Sequence, residues 1–139
     1  MKFRLRSKTG GDVAGAPNER RARYRAGLRA ETLAALYLRL CGYRIVARRF
    51  KCAVGEVDLI ARRFGHLAFV EVKHRQTIDA AAFSISPQQQ QRIGRAAALW
   101  LAQHEGVCFG SASLDVVLMA PRRWPQHIRA AFEVGSLRR

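Results

Sequence analysis

The chain is expected to fold as an α/β layer sandwich around a mixed sheet, and three features carry that expectation. Two helix-length segments have start and stop signals, shorter runs of β-branched and apolar residues fill the intervals, and the order reads αβββαββ. With 139 residues, the chain can remove roughly two thirds of its unfolded surface from water around one core.

Residues 1–16 scatter Gly10, Gly11 and Gly15 among Lys2, Arg4, Arg6 and Lys8 without an apolar period, which reads as a flexible basic arm ahead of a single domain at 17–139. Pro17-Asn18-Glu19 is a start signal and Gly42 a stop, so the first helix should run from about Glu19 to Leu40. On a helical wheel Tyr24, Leu28, Ala34, Ala35 and Leu38 share one side, with Glu31 among them. That glutamate is either an acid at the stripe's edge with its head in water or a member of a site.

Tyr43 to Phe50 alternates as a first strand, and Lys51 to Gly55 reads as a loop. Glu56–Arg63 and His66–His74 form a hairpin about Phe64-Gly65, and Arg75–Ser84 is a polar loop placed to meet a ligand. Ser86-Pro87-Gln88-Gln89 has the form of a capping box and opens a second helix reaching about His104, with Ile93, Ala96, Ala97, Trp100 and Leu101 inward. Gln89, Arg92 and Arg95 gather near its start, where amides and arginines suit a phosphate backbone. Ala112–Met119 and Ile128–Val134 are the last strands. Between them Arg122 and Arg123 adjoin Trp124, a combination suited to stacking on a base, although a lid on the core is the role expected of Trp124. Asp115, amid Leu114, Val116 and Val117, should make a structural hydrogen bond.

The formal charge is +15, from 25 Lys plus Arg against 10 Asp plus Glu. Most of the cations are arginine, which grips phosphate bidentately, so a polyanion, DNA or RNA, is the default partner. No apolar run approaches the ~18 residues of a membrane span, and no apolar segment of a secretory signal follows the basic start. Cys41, Cys52 and Cys108 are odd in number and widely spaced, which fits reduced thiols and a cytoplasmic location. His104 and Cys108 read as a helix-end pair rather than metal ligands.

The hairpin is the most informative segment. A two-residue turn at Phe64-Gly65 sets Asp58 opposite Glu71 and Glu56 opposite Lys73. Like charges directly opposite destabilise a sheet by up to about 1 kcal/mol. These two acids also sit in apolar runs that read as central strands, where a carboxylate needs a metal, a partner or a shifted pKa. A hard divalent cation held by Asp58 and Glu71 is the most economical compensation, with Lys73 on the same face within reach of a phosphate. The rival reading is a solvated sheet face with a cross-strand ion pair.

Gly55-Glu56-Val57-Asp58-Leu59-Ile60-Ala61, Phe69-Val70-Glu71-Val72-Lys73-His74-Arg75 and the helix pattern Gly27-x-x-x-Glu31-x-x-Ala34 together resemble the YraN-like family of uncharacterised bacterial proteins. That family is similar to archaeal Holliday junction resolvases, within the PD-(D/E)xK restriction-endonuclease-like nucleases. The resemblance covers about Arg25 to Met119. It implies a three-layer sandwich with a mixed central sheet flanked by helices, catalytic positions at Glu31, Asp58, Glu71 and Lys73, and a further acid at Glu56. On this reading Asp58, Glu71 and the backbone carbonyl of Val72 bind Mg²⁺ or Mn²⁺, while Glu31 and Glu56 serve a second ion or its waters.

Arg75, Gln89, Arg92, Arg95, Arg122 and Arg123 are the expected nucleic-acid contacts. Relatives commonly have a lysine where this chain has Gln89, and an Arg before Phe-Asp where it has Ser113 and Leu114. The implied activity is DNA hydrolysis, on branched or repair intermediates, by an enzyme without a membrane partner; resolvase-like relatives further imply a homodimer. A module of the same fold that binds nucleic acid without cutting is the alternative. A small RNA-binding protein explains the charge but not the acids.

Overall fold

A computed structural model describes residues 16–79 and 85–133. Almost all of the expected basic arm, the end of the Arg75–Ser84 loop and Val134 of the expected final strand lie outside the described residues. The elements are α1 (Pro17–Leu40), β1 (Arg44–Cys52), β2 (Gly55–Arg63), β3 (His66–His74), α2 (Pro87–Gln103), β4 (Ser111–Met119) and β5 (Gln126–Phe132), in the expected order.

Local chemistry sets both helices. Pro17 occupies the first turn of α1, where its fixed φ suits the helix and its missing N–H costs nothing, so the helix begins slightly before Glu19. At the other end Gly42, at φ 88°, reverses the chain while Tyr43 N–H donates to Leu38 O at 2.9 Å. Both halves of the capping box form at α2: Gln89 N–H donates to Ser86 Oγ, and Ser86 N–H donates to the Gln89 side chain, each at 3.2 Å.

The five strands form one sheet in the order β1-β2-β3-β4-β5. Only β3 and β4 are parallel, and α2 supplies the crossover that parallel neighbours require. Successive strand residues point to opposite faces, which gives two cores. Ala30, Ala34, Ala35 and Leu38 of α1 cover Leu59, Ala61, Ala68, Val70, Val117 and Met119, the small alanines admitting the helix close to the sheet. Ile93, Ala96, Ala97 and Trp100 of α2 cover Val57, Ile60, Leu67, Phe69 and Leu114 on the other side. Tyr24 is exposed rather than part of the α1 core.

Three local expectations change. The Lys51–Gly55 loop shrinks to a two-residue turn, because Lys51 and Cys52 continue β1 and pair with Glu56 and Gly55. The β5 strand starts directly after Pro125, ahead of Ile128. Trp124 lids nothing: the loop turns through Arg122 at φ 59° and leaves the indole 83 % exposed, while Trp100 is the buried one. His104 caps α2, with its ring stacked on Trp100 at 4.1 Å and Nδ1 bonded to Trp100 O, as a helix-end residue should.

Two buried positions bind the layers together. Gly55 lies directly against α2, where a Cβ would run into the carbonyl of Arg92. Asp115 is fully buried beside an irregularity in the β4–β5 pairing. Its Oδ1 accepts from Ser113 Oγ at 2.5 Å and Ala130 N–H at 3.0 Å, and its Oδ2 meets His127 Nε2 at 2.7 Å. Burial works against the charge, but donation from His127, Ser113 and Ala130 outweighs it and holds this carboxyl below the ordinary aspartate range. The structural hydrogen bond expected of Asp115 is therefore a network.

Substituting Asp115→Ala should destabilise the fold by about 3 kcal/mol, because a buried pair broken on one side leaves its donors unmatched. Urea unfolding measures this. Since the folded pKa is depressed, the wild-type advantage is present at neutral pH and disappears as pH falls through that pKa, so the two proteins should converge in acid. Gly55→Ala should cost about 1–3 kcal/mol by overpacking, read as a lower urea midpoint at unchanged slope.

Candidate active site

The β2–β3 ladder pairs Arg63 with His66 and continues in the expected register to Leu59 opposite Val70, where the pairing ends. Both strands run on to Gly55 and His74, so the sheet splays open at Asp58 and Glu71. Val57 and Ile60 both enter the α2 core whereas Leu59 and Ala61 enter the α1 core, so the alternation breaks at Asp58. On the neighbouring strand Arg49, flanked by the pairs Arg48–Leu59 and Phe50–Val57, is kinked at φ 54°. Asp58 fills the opening with its side chain: Oδ2 accepts from Val72 N–H at 2.8 Å, taking the place of a strand carbonyl.

This arrangement brings Asp58, Glu71 and Lys73 together. The Asp58 and Glu71 carboxyl groups lie close enough to act on each other's charge. Lys73 is buried, and its Nζ lies 3.3 Å from Glu71 Oε1. Glu56 does not face Lys73. It pairs with Lys51 instead, with the charges 4.0 Å apart and exposed, because the splay carries it away from β3. Glu31 reaches the site from α1, where its Oε2 is buried without a hydrogen-bond partner and lies 3.2 Å from Arg49 Nε, outside hydrogen-bond geometry.

Burial, then the charge of Asp58, raises the Glu31 pKa, while Arg49 opposes the shift. Asp58 is also raised by burial, against the lowering effect of its bonds from Val72 and Glu71. Glu71 is pushed up to about 8, first by burial and then by Asp58. Three acids displaced in one direction at one place mark a functional site more strongly than any one of them.

Among the described residues no three His, Cys, Asp or Glu side chains converge as a metal cage. The donor set fits Mg²⁺ or Mn²⁺ all the same. Such ions are held by one or two carboxylates with the rest of the shell from backbone and water, and Asp58 and Glu71 are hard oxygen donors lining one cleft, each acting on the other's charge. Glu31 and Glu56 are held by Arg49 and Lys51 and are not part of that pair.

Two hollows flank Glu71. One, of about 400 Å³, is lined by Arg23, Gly27, Glu31, Asp58 and Arg75. The other, of about 70 Å³, is lined by Glu56, Gln89, Arg92 and Ile93. Of the expected nucleic-acid contacts, Arg75, Gln89 and Arg92 therefore stand beside the acids. Arg122 and Arg123 line a separate groove, and Arg95 lies on the exposed face of α2 and lines neither hollow. Arg23 was missed by sequence reasoning, though its spacing from Gly27 and Glu31, four and eight residues, already puts it on their face of α1. Arg49 left no such signal, since its role arises from a kink in another strand.

Fold and site define a three-layer α/β domain with a half-buried carboxylate pair opening onto a cleft that Arg23 and Arg75 help to line. The chain belongs to the uncharacterised protein family UPF0102, whose model matches residues 30–119, a span containing Glu31, Asp58, Glu71 and Lys73. This is the YraN-like family that the motifs resembled. A UPF0102 protein of Methylorubrum extorquens (strain PA1) is 52% identical over 85% of this chain and 92% of its own length. One from Parvibaculum lavamentivorans is 54% identical over 80% of this chain and 84% of its own. One from Rhodopseudomonas palustris (strain BisA53) is 48% identical over 85% and 91%.

Because the folded pKa of Glu71 lies above its unfolded value, the folded protein binds the extra proton and stability should fall as pH rises from about 4.5 to about 8. Glu71→Gln should flatten that slope and raise the melting temperature relative to wild type at pH 8 but not at pH 4. Thermal unfolding across the series tests this; parallel curves for the two proteins would contradict the burial assigned to the carboxyl pair.

Proposed function

We propose that this protein is a Mg²⁺- or Mn²⁺-dependent nuclease that hydrolyses phosphodiester bonds in DNA, with branched or repair intermediates as its substrates. The observation that carries the reading is the half-buried Asp58–Glu71 carboxyl pair with Lys73 Nζ 3.3 Å from Glu71, in a chain of charge +15. A module that only bound phosphate would be weakened by acids at its centre. An enzyme that positions a cation against a phosphate requires them.

Asp58, Glu71 and the carbonyl of Val72 would hold the ion, which when bound polarises a phosphoryl oxygen and makes bound water more acidic. The Val72 amide fixes the rotamer of Asp58, so this ligand is oriented in advance. Lys73, packed against Glu71, sets a positive charge beside the reacting phosphate and orients the attacking water or neutralises charge growing on the phosphoryl oxygens. Glu31, a wall of the cleft held by Arg49, and Glu56, the outer acid, would serve a second ion or its waters. Arg23 and Arg75 would take phosphates on one side of the acids, and Gln89 and Arg92 on the other. The same chemistry, and a dimer of two copies, is what the resolvase-like resemblance read from the motifs implies.

The test is cleavage of linear, forked and four-way DNA with Mg²⁺ or Mn²⁺. Asp58→Ala and Lys73→Ala should each lose about a hundred- to a thousandfold in rate, the usual cost of removing a group that stabilises the transition state. Equal activity in all three proteins would refute the assignment, and salt-dependent binding without cleavage under any ion would make the chain a non-catalytic adaptor.

A further inference from the structure

Beside the acidic cleft lies a larger groove of about 560 Å³ between α1 and the loop joining β4 to β5. Its floor and rim are unusually apolar for exposed surface: Leu33, Leu36 and Leu40 of α1 are more than half exposed, and Trp124 stands across from them. An exposed patch of this kind on a domain with two filled cores marks a binding surface. The charged groups lining it are Arg29, Arg122 and Arg123, with no carboxylate among the lining residues.

We infer that this groove receives unpaired nucleotides of a DNA substrate, Trp124 stacking on a base while the three arginines take the adjoining phosphates. The inference rests on the reading above in taking DNA as the partner. Paired bases keep their π-faces inside the duplex, so a site that offers an indole and an apolar floor between arginines selects bases already unstacked. A second copy of the chain is a poorer occupant, since a symmetric contact would set this cationic rim against itself.

Continuity with the acids assigns the groove to the same substrate. Ala26, Ala30 and His74 are walls of both the groove and the 400 Å³ cleft that holds Asp58 and Glu71. A strand bound at the acids and running along α1 therefore passes into the groove. The substrate class is accordingly DNA with a single-stranded segment next to the scissile phosphate, such as a flap or gap, rather than a fully paired duplex or junction.

The full chain should be titrated without divalent ions against three labelled DNAs: a paired duplex, a fully paired four-way junction, and a duplex bearing a short single-stranded flap with 2-aminopurine in the flap. The flap DNA should bind about tenfold more tightly than the duplex, with the 2-aminopurine emission quenched on binding. Trp124→Ala should remove both the quenching and the tenfold preference, and Trp124→Phe should restore most of each; the exposure of this side chain makes the variants folding-neutral, which their melting temperatures check. Equal affinity for flap and duplex, or a preference that survives Trp124→Ala, would overturn the inference, as would a wild-type dimer that Trp124→Ala dissociates. Since binding is read without cleavage, an inactive protein with a Trp124-dependent preference defeats only the nuclease reading. An active one without the preference defeats only the groove.

Discussion

The bond from Val72 N–H to Asp58 Oδ2 is the point at which the sheet gives up its ladder, and the site depends on it. Two neighbouring strands that separate in a protein interior leave amides and carbonyls without partners, which is normally prohibitive. Here a carboxylate stands in for a carbonyl, so the strands part without orphaning the Val72 amide. The opening then has room for Glu71, and the same residue that repairs the sheet becomes half of the acid pair. A structural bond and a place in the candidate site meet in one side chain, so its replacement removes both.

Two aspartates on strands of one sheet show how environment separates these roles. Asp115 is completely buried, yet a hydroxyl, an amide and an imidazole surround it, and its pKa is lowered. Asp58 is more accessible, yet loss of solvation and then the charge of Glu56 raise its pKa, although the Val72 amide and Glu71 both favour its charge. A satisfied acid is part of the frame. An acid left in conflict with its neighbours stores interaction free energy that a cation can release.

The cations around the site are graded in the same way. Lys73 is buried and touches Glu71, Arg49 holds Glu31 from a kinked strand, and Arg23 and Arg75 stand at the edge of the cleft. On the proposed reading, the chain's excess of arginine would draw a polyanion in, while the few acids concentrated at one end of the sheet would fix where it is engaged. Gly55 contributes by omission. Without a Cβ it lets α2 pack on the start of β2, which sets Gln89 and Arg92 beside Glu56 and Glu71.

Much of this was legible before any coordinates. Pro17, Gly42 and the Ser86–Gln89 box announce helix ends because caps are settled by neighbouring residues, and the turn at Phe64-Gly65 sets the upper register of the hairpin for the same reason. The pairing of Asp58 with Glu71 followed from that register and from the apolar residues around them. Where the ladder would end was not legible, nor that Glu56 would turn to Lys51, that Arg49 would adopt φ 54° beside Glu31, or that Trp124 would face solvent. Each of these is decided by how strands and helices from distant parts of the chain share one space. The sequence by itself determined the elements, their order and the acids of the candidate site, since these follow from local conformational preference and side-chain period. Only the tertiary structure decided the splay of the sheet, the partners of each charge and the groove beside α1, because packing between remote segments determines which backbone bonds can be given up.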